Sequence, residues 1–336
     1  MMVLLLLLAP LLLALPVTAA GPVPAIVTVT ATATSAERHA AAELAAFLCK
    51  IAARPGGFSV RSTEDVGVLE PQIAVGAGAA LRLGLNADAL QGLGLEGYLA
   101  ALANNGSSLV LTGGTRAPRG ALYAVNFFLE SIGVRFLAVD VTKLPAAIPD
   151  AIPQACHHHV FVPQLEYRQL MEWQAGPMMT NSSYDYCVHR RVDPLAQPDT
   201  GVAGEPVGDA ARGGGVVYAS PPGFVHTSYR ILDPTWGGNS PPPQLLAKHP
   251  EWFWPRTGPP TYGQLCWANA SLQQFIIGNL KQQLRKQPNA TIVSVTTHYH
   301  HLLCIAASCT AMLHRLITAA TLCRTGEPKR QPTVLQ

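Results

Sequence analysis

The sequence predicts an α/β protein: a small N-terminal α/β sandwich domain followed by an incomplete TIM-barrel-like segment. Three observations carry that reading. Between Ala25 and Val139, runs that alternate apolar and polar residues take turns with stripes of helical period. A Pro-rich stretch, "AAIPDAIPQACHHH" from Ala146 to His159, then breaks the pattern as a linker does. Beyond it come a strand, a long loop, a helix and a strand, the order in which a TIM barrel begins.

The first domain is expected over residues 21–145. "AIVTVTATAT" alternates like a strand, and Thr34 with Glu37 then forms a capping box that opens a helix with Leu44, Phe47, Leu48 and Ile51 on one face. "QIAVG" and "SSLVLTGG" read as strands, and "TRAPRG" as a turn. "ALYAVNFFLESIG" reads as a helix with Leu122, Val125, Leu129 and Ile132 on one face, Pro118 near its start and Gly133 at its end. "VRFLAV" closes the domain as a further strand. Two glycine-rich stretches resemble phosphate loops only in part. "GAGAAL" at Gly76 lacks the third glycine and the spaced acid of a dinucleotide site, and "GGTRAPRG" lacks the GK[ST] of a phosphate loop, so both are expected to be structural turns.

Residues 146–163 are expected to be the linker and 164–295 the first part of the barrel. "LEYRQLMEW" places Glu166, Arg168, Leu170 and Glu172 on one strand face. Charges on one face of a strand require solvent or ligand there. The Gly- and Pro-rich region that follows carries Trp236, Trp252, Trp254 and Trp267, four of the five tryptophans. Aromatic rings in a long loop suit the apolar faces of sugars; they equally suit a plug beneath the loop, as Trp252, Phe253 and Trp254 would form. "SLQQFIIGNLKQQLRK" is an amphipathic helix with Leu272, Phe275, Ile276, Leu280 and Leu284 inward, and "ATIVSV" is a buried strand.

Composition excludes some functions and suggests a compartment. With 336 residues, 49% hydrophobic and 13% charged, the chain can build two cores. A net charge of +3 on scattered Lys and Arg leaves no footprint for nucleic acid. Residues 1–20, "MMVLLLLLAPLLLALPVTAA", suit a signal peptide cleaved near Ala19 or Ala20, with a signal anchor as the one membrane alternative. Four glycosylation acceptors, Asn105, Asn181, Asn269 and Asn289, and seven cysteines accord with export to a secretory lumen or beyond.

Several of these motifs together resemble a known family. "APRGALYAVNFFLESIGVRFLAVD" resembles the α/β domain that precedes the barrel in bacterial alpha-glucuronidases. "LEYRQL", "GFVHTSYRIL", "LLAKHPEWFWPRTGPP" and "GQLCWAN" look like the N-terminal part of the domain of unknown function 4838 family, several members of which are similar to endo-beta-N-acetylglucosaminidases. The resemblance spans roughly Ala25 to Val295. It implies a glycan site on the loop face of a barrel, with His226, Trp267 and Asn269 at the family's motif positions and Arg168 as a further substrate-binding candidate. Asn269 has an alternative reading as the cap of the helix opening at Ser271.

The resemblance is expected to stop at Val295, leaving residues 296–336 as an anomalous tail from an altered reading of the gene and the chain as a fragment of a longer enzyme. After Glu251 the one carboxylate side chain is Glu327, whereas ordinary glycoside hydrolysis uses two carboxyl groups about 5–9.5 Å apart. Glu166 and Glu172 stand roughly 20 Å apart on an extended strand, so they are not that pair. His298, His300, His301, Cys304 and Cys309 are zinc-ligand types, but their spacing and that of "CHHH" at Cys156 match no standard site, and neither metal nor cofactor is expected. The expectation is a secreted, glycoside hydrolase-like protein acting on or binding N-acetylglucosamine-containing glycans, catalytically incomplete as this chain stands, its catalytic residues unassigned. The alternatives are a noncatalytic carbohydrate-binding protein and an alpha-glucuronidase-like enzyme.

Overall fold

The structure, a computed structural model, describes residues 20–117, 119–165, 167–168, 181–192, 210–214, 218–223, 226–238, 240–253, 264–288, 290 and 292–296. The chain divides into two compact units between Pro163 and Gln164.

The first unit is built on a six-stranded sheet. Its elements are β1 (Ile26–Val29), α1 (Ser35–Ile51), β2 (Ser59–Ser62), β3 (Ile73–Val75), α2 (Ala77–Arg82), α3 (Ala87–Gly92), β4 (Tyr98–Ala103), β5 (Ser108–Gly113), α4 (Gly120–Ser131), β6 (Arg135–Ala138), β7 (Val141–Lys143) and β8 (His158–Phe161). The sheet order is β2-β1-β3-β5-β4-β8. Its first four strands run parallel, and β4 is antiparallel to both β5 and β8. Alternation sends Ala74 of β3 and Val110 of β5 to the face where Ala79, Ala80 and Leu90 of α2 and α3 pack with Leu99 and Ala101 of β4. Ile73, Val75, Leu109 and Leu111 therefore face the opposite side, toward the packed pair α1 and α4. Gly133, at φ 104, ends α4 as predicted, with the N–H of Val134 donating to Leu129 O at 3.0 Å.

Three differences from the sequence reading have local causes. The stretch expected to be a linker contains β8, which completes the sheet by pairing Tyr98 with Phe161 and Ala100 with His159. Its prolines and histidines carry no strand preference, and the strand forms because β4 offers it an unpaired edge. β4 itself, "YLAALA", is composed of helix formers held extended by tertiary pairing. "VRFLAV" does form a strand, β6, but it pairs with β7 in a separate two-stranded hairpin rather than in the main sheet.

The capping box reaches further than the helix it opens. Glu37 Oε2 accepts the Thr34 N–H at 2.8 Å, and the Thr34 hydroxyl accepts the Glu37 N–H at 3.2 Å. The other oxygen, Oε1, accepts the N–H of Ala77 at 2.8 Å, the first residue of α2. In "GAGAAL" the protein's own carboxylate thus stands at the helix start, where a dinucleotide site would admit phosphate. Gly76 makes the approach possible: it sits at φ 96, and a Cβ there would lie 2.4 Å from Glu37 Oε1. Glu37→Ala is expected to lower stability by about 1–2 kcal/mol in urea titration, and Glu37→Gln, which keeps an acceptor, by less.

"GGTRAPRG" is likewise structural. A Cβ on Gly120 would lie 2.5 Å from the Cα of Gly113 and 2.6 Å from the carbonyl oxygen of Gly97, so three backbones meet without room for a side chain. Beside them Arg119 donates to Glu96 at 2.8 Å in an ion pair whose side chains are 6% and 10% exposed.

The second unit contains α5 (Asn181–His189), α6 (Ser228–Leu232), α7 (Pro243–Lys248) and α8 (Ala270–Arg285). α8 matches the predicted amphipathic helix. Leu272, Ile276, Leu280 and Leu284 enter a core with Tyr229, Ile231, Trp252, Phe253, Leu265, Trp267 and Val293. Asn279 of α8 donates to the carbonyls of Ile231 and Leu232, each at 2.9 Å, and so satisfies the end of α6. In the predicted strand "ATIVSV" Ala290 and Ile292 to Val295 are buried, Ile292 makes a parallel bridge to Tyr218, and an antiparallel bridge joins Phe253 to Leu265. These isolated bridges are the strand pairing among the described residues of this unit. Most of the predicted strand "LEYRQLMEW" lies outside the described residues, and Leu165, Tyr167 and Arg168 form no ladder.

Candidate functional site

One isolated parallel bridge, Ile292 to Tyr218, orients the buried stretch. The buried residues run from Ile292 to Val295, and Thr296, half-buried, is the last described residue after them. Its N–H donates to the Thr227 hydroxyl at 2.8 Å, its carbonyl accepts the Ser228 N–H at 3.1 Å, and its own hydroxyl accepts the Thr227 N–H at 3.3 Å. These bonds tie Thr227 and Ser228, the start of α6, to Thr296, and His226 directly precedes Thr227 in the chain.

His226 adopts φ 55, in the left-handed region. Histidine enters it more readily than most side chains, but such backbone is still costly and persists where the surroundings impose it. The ring is half-buried with Nδ1 enclosed. An imidazole can both donate to and accept from hydroxyl groups, whereas the Thr227 and Thr296 hydroxyls are engaged with each other's backbone.

The other sequence candidates fall elsewhere. Asn269 is the N-cap of α8: its Oδ1 accepts the N–H groups of Ser271 at 2.9 Å and Leu272 at 3.1 Å, and its Nδ2 faces the Glu251 carbonyl at 3.4 Å. The capping alternative is therefore the one realised. Trp267 is 7% exposed within the core, and Gln273 donates to its carbonyl at 2.8 Å. Arg168 donates from Nε to the Arg191 carbonyl at 2.9 Å. Its neighbour Tyr167 shares a hydroxyl–hydroxyl hydrogen bond with Tyr218, the bridge partner of Ile292. The four residues thus occupy three neighbourhoods.

The aromatic loop resolves where it is described. Trp252 is 3% exposed, its indole N–H donates to Ser271 Oγ at 2.7 Å, and His249 stacks on its ring at 3.9 Å with planes 5° apart. Trp252 and Phe253 are the plug beneath the loop; Trp254 lies outside the described residues. The "HPE" element is its clasp, because His249 also bonds Glu251 through Nδ1 at 3.1 Å.

The carboxylates of this unit that are described have settled local partners. Asp185 forms a forked ion pair with Arg212, and Asp233 accepts the N–H and hydroxyl of Thr235 at 2.9 and 2.7 Å. A hydrogen bond from its own backbone N–H, aided by His249, holds the exposed Glu251 carboxyl below the usual carboxylate range. A general acid for glycoside hydrolysis needs the opposite shift. Among the described residues no three His, Cys, Asp or Glu side chains gather as a metal site. His298, His300, His301, Cys304 and Cys309 lie outside them.

Comparison with known proteins adds three findings. A family model described as Domain of unknown function (DUF4838) matches residues 136–319, more than half of the chain. No curated protein matches. Among solved structures, a family GH115 4-O-methyl-alpha-glucuronidase, BtGH115A, with specificity for decorated arabinogalactans, superposes with a TM-score of 0.46 at 13% identity, covering 91% of this chain. This chain spans 40% of that enzyme's length. The family match corrects one expectation: it runs past Val295 to residue 319, so the sequence does not leave the family at Val295. Loss of carboxylates and turn residues is a compositional change and does not by itself mark a departure from the family.

Proposed function

The chain belongs to the DUF4838 family, and from that premise we propose that it is an exported, glycoside hydrolase-like protein that takes N-acetylglucosamine-containing glycans at the His226 end of the Ile292–Thr296 stretch. The observation that carries the proposal is His226 itself, a half-buried imidazole in left-handed backbone, directly preceding Thr227, which is tied to Thr296 at the carboxyl end of a stretch with a parallel bridge. The motif resemblance of "GFVHTSYRIL" supplies the ligand class. A barrel surrounding this strand end is part of the proposal. Among the described residues of this unit the carboxylates Asp185, Asp233 and Glu251 are committed to an ion pair, a turn and a clasp, and the role proposed for His226 is recognition of the glycan.

The test is calorimetric titration of the full chain with N-acetylglucosamine oligomers and, in parallel, with uronic-acid oligosaccharides. The expected result is binding of the former without release of sugar, weakened about tenfold or more by His226→Ala, equivalent to about 1.4 kcal/mol or more. His226→Gly separates binding from backbone strain: glycine relieves the left-handed conformation, so this variant is expected to be at least as stable as the parent and equally poor at binding. Wild-type affinity in both variants would sink the assignment of His226. Preference for uronic acids would favour the alpha-glucuronidase-like alternative, and absence of binding to either set would overturn the glycan reading.

A further inference from the structure

Asn105 lies at the tip of the β4–β5 hairpin, in the sequence "ANNGS". Ala103 and Ser108 close the hairpin as its last pair, and Asn104, Asn105 and Gly106 all turn through left-handed backbone at φ 51, 53 and 88. Asparagine and glycine tolerate that conformation best. The groups flanking Asn105 are occupied. Asn104 Nδ2 donates to the Val68 carbonyl at 2.6 Å and to Ser108 Oγ at 3.1 Å, the Ser107 hydroxyl donates to the Asn104 carbonyl at 2.8 Å, and the Gly106 carbonyl accepts the Gly21 N–H at 2.9 Å. The Asn105 residue itself is exposed.

We propose that Asn105 is an N-glycosylation site of this protein, modified by transfer of an oligosaccharide from a lipid diphosphate-linked donor as the chain enters a secretory lumen. In that transfer Nδ2 forms a bond to the anomeric carbon and loses a proton, the bond from that carbon to the diphosphate breaks, and the lipid diphosphate leaves. The inference rests on the export part of the reading above and is independent of the glycan-binding part.

The folded hairpin accommodates the product without giving up a bond, because its hydrogen bonds are made by the residues around Asn105. Asn269 presents the opposite case. Its half-buried side chain caps α8 through Oδ1, and Nδ2 faces the Glu251 carbonyl at 3.4 Å, so a sugar on that nitrogen would crowd the backbone of the Trp252 clasp. The side chains of Asn181 and Asn289 lie outside the described residues. The hairpin also has apolar surface to cover: Val68 and Leu69, beside Asn104, are 41% and 81% exposed.

The test is expression of the full chain in a eukaryotic secretory host, followed by peptide mapping before and after treatment with peptide N-glycosidase in heavy-oxygen water. The expected result is a sugar-bearing Asn105 peptide that gains the heavy label on treatment, next to an unmodified Asn269 peptide. Asn105→Gln and Ser107→Ala should each abolish the modification, and Ser107→Thr, which keeps the hydroxyl of the acceptor triplet, should retain it. A bare Asn105, or one already deamidated before treatment, overturns the proposal. The N-terminal peptide then shows which premise failed: a removed leader with bare Asn105 refutes the site alone, and an intact leader on cytosolic protein refutes export with it.

Discussion

Trp252→Ala is expected to destabilise the second unit by about 3–5 kcal/mol, the range for removing a large buried aromatic side chain. The ring is 3% exposed, lies 4.9 Å from Phe275 of α8 and is covered by His249 on one face. Its truncation opens a cavity and also removes the hydrogen bond from the indole N–H to Ser271 Oγ. All five tryptophans lie beyond Pro163, so intrinsic fluorescence reports unfolding of this unit, and the variant still carries four of them. Trp252→Phe keeps an aromatic ring and loses the N–H bond, so its loss is expected to be nearer about 1 kcal/mol. A ring serving as a sugar platform would behave otherwise: glycan affinity would fall and the denaturation midpoint would hold. A midpoint within about 1 kcal/mol of wild type for Trp252→Ala would remove Trp252 from the core and restore the platform reading.

The elements legible in the sequence are those whose signals are local. Thr34 and Glu37 announce α1 through a capping box that the structure reproduces on both sides, and the 3.6-residue spacing of Leu272, Ile276, Leu280 and Leu284 announces α8 to within a residue. What escaped was structure imposed from a distance. β4 has the composition of a helix and is extended because β5 and β8 flank it; its one local cue was the Asn-Gly pair of the hairpin that follows. β8 hides among prolines and histidines and exists because a sheet edge was available. The same division holds at the site. Asn269 was legible as a cap because capping is a matter of three consecutive residues. Whether Arg168, His226 and Trp267 share a site depends on long-range packing, and the contacts made by their neighbours, Tyr167 to Tyr218 and Thr227 to Thr296, join residues 51 and 69 positions apart. The motif residues of "HPEW" serve the fold: they clasp Trp252 into the core, so a motif that marks a family need not mark its chemistry.

Breaking the Glu96–Arg119 pair is expected to be as damaging to the first unit as Trp252→Ala is to the second. Both side chains are at most a tenth exposed, so solvent screens their attraction little, and removing one strips a buried charge of its partner at 2.8 Å. Such single truncations cost about 3–5 kcal/mol. The position amplifies the effect. Glu96 immediately precedes Gly97 and Arg119 immediately precedes Gly120, so the pair fastens the start of β4 to the start of α4 where their backbones touch. Arg119→Ala and Glu96→Ala should therefore each lose amide protection throughout α4, β4 and β5 in hydrogen exchange. Arg119→Lys, which keeps the charge but not the planar donor fork, should fall between them and wild type. Replacing both residues with apolar ones of similar volume should recover much of the loss, because the large penalty comes from stranding one charge rather than from lacking the pair. If the double replacement is as unstable as the sum of the singles, the two residues act separately and the fastening role assigned to the pair is wrong.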